Sequence, residues 1–426
     1  MSDCRFEISE CSPEDVRHLQ TELGISGPLA QVLVRRGMPD ATSARAFLAG
    51  NEAHSPDAFA GIGLAVESIL AHVQAGTRIT IHGDYDVDGI CSTAILVRAL
   101  SELGGDVDSY IPDRAGDGYG LSMSTVQRLA ARGTRLLVTA DCAITAVEEV
   151  AAAKALAMDV VVTDHHSPRV DGQLPQAPIV HPALCGYPCP ELCATAVAFK
   201  LAQALYGAAG RDTRELRRDL DLVALATIAD VVPLLGENRA LVRYGLRALA
   251  STAKPGLRAL MSVAGVDPGK VNERAVGFAL APRLNAAGRL YRADAGLELI
   301  LTEDHARAQQ IAKELDAANH ERRAVETRIR YEAEAQMDAL GERPAYVLAG
   351  EDWHAGVIGI VASRLVERFG RPVVLIAGTA SGDWKGSGRA GGSFDLHGAL
   401  AACSEYLERF GGHRAAAGLS IRPAQV

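Results

Sequence analysis

Between Arg78 and about Pro182 the sequence alternates short β-branched runs with segments of helical period. The runs are Ile79–Ile81, Val107–Ile111, Leu136–Thr139, Val160–Thr163 and Ile179–Val180, and the helical segments are Ile90–Leu103, Ser122–Arg132 and Thr145–Leu156. Parallel neighbours need a crossover between them, and a helix is the usual one. The alternation therefore predicts an α/β fold, a doubly wound parallel sheet. In such sheets ligands sit beyond the carboxyl ends of the strands, so the residues just past each run matter most.

Ile81 leads into His82-Gly83-Asp84-Tyr85-Asp86-Val87-Asp88-Gly89, Thr139 into Ala140-Asp141-Cys142, and Thr163 into Asp164-His165-His166. Three strand ends thus deliver Asp and His to one edge. Carboxylates this close repel, so the first motif is either a solvated acidic loop or a cation site that offsets the repulsion. Asp-x-Asp-x-Asp-Gly also opens an EF-hand loop, but Ile95 stands where the bidentate Glu is needed and a strand precedes the motif instead of a helix. A fourth acid, Asp230, lies in the apolar segment Leu220–Leu235. Burial without a partner would be costly, leaving an arginine or a metal as its counterpart. A set of His and carboxylates without thiolate suits Mn²⁺ or Mg²⁺ better than structural zinc.

The remaining chain is read as support. Residues 1–75 read as short helices packed on the domain that follows, with caps at Ser12 and Asp40. Residues 76–302 are the domain that carries the acidic motifs and 303–343 a connecting helix with an apolar stripe (Ile311, Leu315, Ala318, Val325, Ile329). Residues 344–426 are a smaller α/β domain, and its substrate-binding role and a cleft between the domains are what a family resemblance of the motifs implies. Its strands are Ala345–Leu348 and Val373–Ile376, with the helix Val357–Phe369 between them. Two glycine-rich pieces come next, and Gly386-Ser387-Gly388-Arg389 can offer backbone N–H groups, a hydroxyl and a guanidinium to one phosphate. Arg283-Leu284-Asn285-Ala286-Ala287-Gly288-Arg289 reads either as a small-residue turn, flanked by two arginines and an Asn, that could let backbone approach a phosphate, or as the start of a capped helix. A net charge of −9 gives no bulk attraction for a polyanion, so metals and local arginines would have to hold one. The scattered cysteines fit reduced cytosolic thiols, and with no signal-peptide pattern and no long apolar run the expected location is cytoplasmic, away from membranes.

Taken in order, the motifs at His82–Gly89, Asp141-Cys142, Asp164–His166 and Asp230–Leu234 resemble those of the DHH phosphoesterase superfamily. Arg283–Arg289, Trp353-His354-Ala355-Gly356-Val357-Ile358-Gly359 and Gly411-Gly412-His413 resemble its bacterial RecJ branch and the DHH-associated C-terminal domain. The resemblance implies a 5′-to-3′ single-stranded-DNA exonuclease of recombination and repair, working with two Mn²⁺ or Mg²⁺ ions. It implies one ion held by His82, Asp86 and Asp141 and another by Asp88, Asp141, His165 and Asp230. Asp84 and Asp164 would orient ligands or water, and His166 would face the scissile phosphate. Arg114, Arg289, Ser387 and Arg389 become candidates for the 5′-terminal phosphate, with Arg283, Asn285, His354 and His413 along the strand. A helicase and a single-strand-binding protein would be candidate partners.

Two positions depart from the pattern: Ala143 stands where glycine usually follows Asp-Cys, and Leu192–Ala196 replaces a glycine-bearing stretch. Larger members continue past the His413 motif into an OB-fold, whereas this sequence reads Ile421-Arg422-Pro423 soon after it. The same superfamily resemblance leaves open a phosphodiesterase of short oligonucleotides or cyclic dinucleotides. A non-catalytic scaffold is the reading from another class, against which every expected ligand is present.

Overall fold

The computed structural model describes residues 8, 10–112, 120–290, 292–378, 382 and 384–426, and only the backbone at Ala287, Arg289 and Leu290. The chain divides into two compact units, Met1–Ala281 with Gly296–Gln309, and Pro282–Ala295 with Gln310–Val426.

In the first unit, five parallel strands take the order β2-β1-β3-β4-β5: β1 Arg78–His82, β2 Asp106–Tyr110, β3 Leu136–Ala140, β4 Asp159–Thr163 and β5 Ile179–Val180. The α/β expectation holds. The order reverses direction between β1 and β3, so their carboxyl ends flank a switch point, where crevices form in open sheets. Strand β3 is buried at every residue, and the helix Val87–Glu102 is buried over most of its surface, as expected for central elements covered on both faces. Upstream, the helices Pro13–Leu23, Gly27–Arg35 and Ala41–Ala49 enclose a small core of Val16, Leu19, Ala30, Leu33, Met38 and Ala44. Ser12 caps the first through the Asp15 N–H, and Asp40 the third through those of Thr42 and Ser43.

The second unit has a mixed sheet of order β6-β7-β8-β10-β9: β6 Tyr346–Gly350, β7 Val373–Ala377, β8 Trp384–Arg389, β9 Leu407–Gly412 and β10 Ala416–Ile421. Val325, Ile329, Ala333 and Met337 of the helix His305–Leu340 join the core formed with β6, β7 and the helix Ala355–Phe369.

One expectation from sequence fails here, and one open alternative is decided. Gly386–Arg389 is no phosphate-cradling turn: it lies within β8, paired on one side with β7 and on the other with β10. Its backbone groups are committed to the ladders. The glycines serve close packing, since a Cβ on Gly386 would come within 2.7 Å of Leu419 and one on Gly388 within 2.9 Å of Leu396. For residues 283–289 the helical alternative holds over the turn: they belong to the helix Ala281–Leu290, entered through a π-helical turn at Val276–Leu280. Interior helical N–H groups are bonded within the helix, leaving only side chains to meet a ligand.

Candidate metal centre

The loop after β1 is drawn tightly onto the following helix. A Cβ on Gly89 would fall 2.5 Å from the Asp84 backbone, and one on Gly83 would fall 2.0 Å from Thr93 Oγ1. Asp86 caps that helix, its Oδ1 accepting from the N–H groups of Asp88 (3.0 Å) and Gly89 (3.1 Å). Asp88 points elsewhere. Its buried carboxylate sits on the N-terminus of the helix Ala194–Ala208, accepting from Ala194 N (2.7 Å), Thr195 N (2.7 Å) and Thr195 Oγ1 (2.6 Å). The helix end favours a negative charge there.

Asp141 follows β3 in a left-handed conformation (φ 68°), and Ala143 follows with φ 82°. The second value explains why glycine suits that position: an alanine there is strained. Asp164, after β4, braces its neighbours. Its Oδ2 accepts from Ile144 N (2.9 Å), and its Oδ1 from His165 N (2.7 Å), His166 N (3.1 Å) and His166 Nδ1 (2.8 Å). Asp230 ends the helix Leu220–Ala229 and is half-buried.

These groups converge. His165 Nε2 lies 3.3 Å from Asp141 Oδ1, 3.7 Å from Asp88 Oδ2 and 3.8 Å from Asp230 Oδ2. His166 Nδ1 is 3.6 Å from Asp141 Oδ1. Three sets, Asp84/Asp86/Asp141, Asp88/His165/Asp230 and Asp141/His165/His166, each bring their ligand atoms within 4.8 Å of one another. His82, which is buried, has its Nδ1 3.4 Å from Cys142 Sγ. Asp141 Oδ1 and His165 Nε2 are buried without a hydrogen-bond partner. Among the described residues no lysine or arginine pairs with Asp88, Asp141 or Asp230.

Crowding shows in the protonation equilibria. Burial, then the charges of Asp88, Asp86, Asp84 and Asp164, push the Asp141 carboxyl well above its usual range. Burial and Asp88 raise Asp86, while burial and the charges of Asp88 and Asp86 lift Asp230 to about 7. Burial lowers His165. At His166 burial opposes the charge, but the hydrogen bond and charge of Asp164 outweigh it and raise the imidazole to about 9. Excess negative charge with unpartnered oxygen and nitrogen donors is the complement of a hard divalent cation.

The candidate strand contacts have other surroundings. Arg389 Nη1 donates to Ser387 Oγ (2.9 Å) and to Gly388 O (2.8 Å). A Cβ on Gly359 would lie 2.9 Å from both side chains, so glycine lets them rest against the helix Ala355–Phe369. Arg283 Nε pairs with Asp316 Oδ1 at 2.8 Å. His354 caps its helix, Nδ1 accepting from Gly356 N (3.1 Å), and His413 is exposed in the β9–β10 turn. Asn285 is half-buried on the helix Ala281–Leu290, which also carries Arg289. Arg114 lies outside the described residues.

Two supporting residues were not anticipated from sequence. Thr195 locks Asp88 from 107 positions away. The buried His181 donates from Nε2 to His166 O (2.8 Å) while its Nδ1 accepts from Leu184 N (3.2 Å), which fixes its tautomer. In the sequence Thr195 stands out only as part of the Leu192–Ala196 departure, and nothing local marks His181.

An acidic rim at the switch point of a parallel sheet is also where the family comparison falls. The DHH family, N-terminal domain model matches residues 78–227, and the DHHA1 domain model matches residues 343–426. The single-stranded-DNA-specific exonuclease RecJ of Bacillus subtilis (strain 168) is 41% identical over 433 residues, covering 100% of this chain and 54% of the relative. That of Haemophilus influenzae is 39% identical, with 86% of this chain and 67% of the relative covered. Among solved structures, RecJ in complex with Mn²⁺ from Thermus thermophilus superposes with a TM-score of 0.88 at 35% identity, covering 100% of this chain and 61% of that one. An exonuclease RecJ bound to manganese gives 0.79 at 37% identity, covering 87% and 93%. The chain belongs to the RecJ family of DHH proteins, and it spans roughly half to two thirds of the length of the curated relatives it matches.

Proposed function

We propose that this chain is a metal-dependent exonuclease core that hydrolyses single-stranded DNA from 5′ to 3′, serving recombination and repair. The observation that carries this reading is the pair of buried, unpartnered atoms Asp141 Oδ1 and His165 Nε2, set beside Asp88 and Asp230, with which no described lysine or arginine pairs. Family membership supports it, since the relatives are named single-stranded-DNA-specific exonucleases. His82, Asp86 and Asp141 would hold one Mn²⁺ or Mg²⁺ ion, and Asp88, Asp141, His165 and Asp230 the other. When bound, two such ions would supply Lewis-acid polarisation of a phosphoryl oxygen and, by lowering the pKa of a coordinated water, make hydroxide available at neutral pH.

The chain's own groups then divide the work. Asp88 is held in place and aimed by the helix end at Ala194 and Thr195. Asp164 holds the backbone N–H groups of His165 and His166 and the His166 ring through three hydrogen bonds, and leaves His166 Nε2 to donate to a phosphate oxygen. Arg389 and Ser387 are the proposed anchor for the 5′ phosphate, acting through side chains alone, with Arg289 and Arg114 as further candidates. Arg283, Asn285, His354 and His413 would line the strand. A helicase and a single-strand-binding protein are the proposed assistants.

Single strands labelled at either end, incubated with Mn²⁺ beside a duplex control, test the proposal. Early release of the 5′ label from single strands alone is expected. Release of the 3′ label first, or equal attack on duplex, would refute it.

A further inference from the structure

Next to the acidic rim the fold breaks two of its own rules. The helix Leu220–Ala229 ends at Asp230, and the following residue, Val231, adopts φ 61°. That position past a helix end normally belongs to glycine, and a β-branched residue is a rare occupant of the left-handed region. Val231 is nonetheless 84% exposed, so its isopropyl group gains nothing from the core. The π-helical turn Val276–Leu280 supplies the second exception. Phe278 is 75% exposed, the most of any described phenylalanine. Its neighbour Gly277 lies against the same helix end, where a Cβ would be 3.7 Å from Ile228 Cγ2, two residues before Asp230.

Neither local backbone preference nor burial asks for Val231 or Phe278. Sites where such local rules fail are where ligands are met. π-helical turns also concentrate at functional sites.

We infer that Val231 and Phe278 form an apolar shelf beside Asp230 on which the bases of a single strand stack as its backbone enters the acidic rim. The inference rests on the nuclease reading and adds to it the means of recognising unpaired bases. Every base has a π-face, so an aromatic shelf is tolerant of sequence. In a duplex those faces are already stacked, and the shelf gains nothing. The rim repels a phosphate backbone until cations fill it, so apolar contact with bases also gives a hold that does not depend on net charge.

Fluorescence anisotropy of a labelled oligothymidylate, with the full chain and Mn²⁺ at low temperature to slow turnover, provides the test. A matched strand carrying abasic sites at its 5′ end is compared. Wild type should favour the normal strand, and Phe278→Ala should weaken binding to it about tenfold, the loss expected for one stacking aromatic. The abasic strand should lose far less, and Phe278→Trp should restore the preference. Val231→Gly should bind the normal strand more weakly while melting at a higher temperature, because the strain is relieved. A merely structural valine would not move those two readouts in opposite directions. Wild-type affinity in Phe278→Ala, or equal losses on both strands, would overturn the shelf. Should the wild type bind strands with this preference yet leave them intact when the same mixture is warmed, the nuclease reading falls and the shelf stands. Should it cleave them while Phe278→Ala binds normally, the shelf falls alone.

Discussion

Two buried charged clusters in the first unit look alike in composition and differ in balance. At Glu237 the carboxylate meets Lys200 Nζ (2.5 Å), Tyr187 Oη (2.7 Å) and His54 N (3.1 Å), so charge and hydrogen-bonding capacity are both answered. At the acidic rim, carboxylates face one another and two imidazoles, with Asp141 Oδ1 and His165 Nε2 left unpartnered. The first arrangement is complete as the chain folds. The second becomes balanced only when a cation is added. A buried charge within a satisfied network is a structural fact, whereas one within an unbalanced network points to a ligand.

Removing a member should therefore act in opposite ways. The largest effect is expected for Asp141→Ala: metal-dependent hydrolysis falls to background in a labelled-strand assay. The metal-free protein melts no lower than wild type, because a repelling carboxylate is gone. Lys200→Met should do the reverse, lowering stability by about 3–5 kcal/mol in urea titration through an orphaned Glu237, with activity per folded molecule kept. If Lys200→Met abolished activity at full stability, the contrast between the clusters would be broken.

A smaller effect comes from pH. Asp230 holds its proton in the folded state up to about 7, against about 4 in the unfolded chain. The folded state thus binds more protons across that window, and metal-free stability falls as pH rises through it, by at most about 1.4 kcal/mol per unit from this group. Below the window its effect vanishes. Mn²⁺ requires the ionised form, so the melting-temperature gain on adding Mn²⁺ should grow from acid to neutral pH; a gain that shrinks would contradict the assignment. The smallest effect is Ala143→Gly, expected to stabilise by about 1 kcal/mol by relaxing φ 82°, measured in the same urea titration.

The parallel sheet was readable because its helices and strands differ in period and because acids and histidines stand directly after β1, β3 and β4. Those positions depend on local pattern alone. The groups that complete the rim do not: Thr195 reaches Asp88 through tertiary packing, and His181 reaches the His166 carbonyl from beyond β5. Glycine was the other source of error. In Gly386-Ser387-Gly388 it signals the close approach of Leu419 and Leu396 within a sheet, while a phosphate-binding loop would show the same letters. The helix at 281–290 was obscured similarly, since small residues suit a packed helix as well as a turn.

Calorimetric titration with Mn²⁺, repeated in buffers of different ionisation enthalpy, tests the rim most directly. Binding of two ions per chain with net proton release, lost in Asp141→Ala, is the predicted result. Absence of binding, or binding that releases no protons and survives the substitution, would show that the carboxylates do not form the cation site.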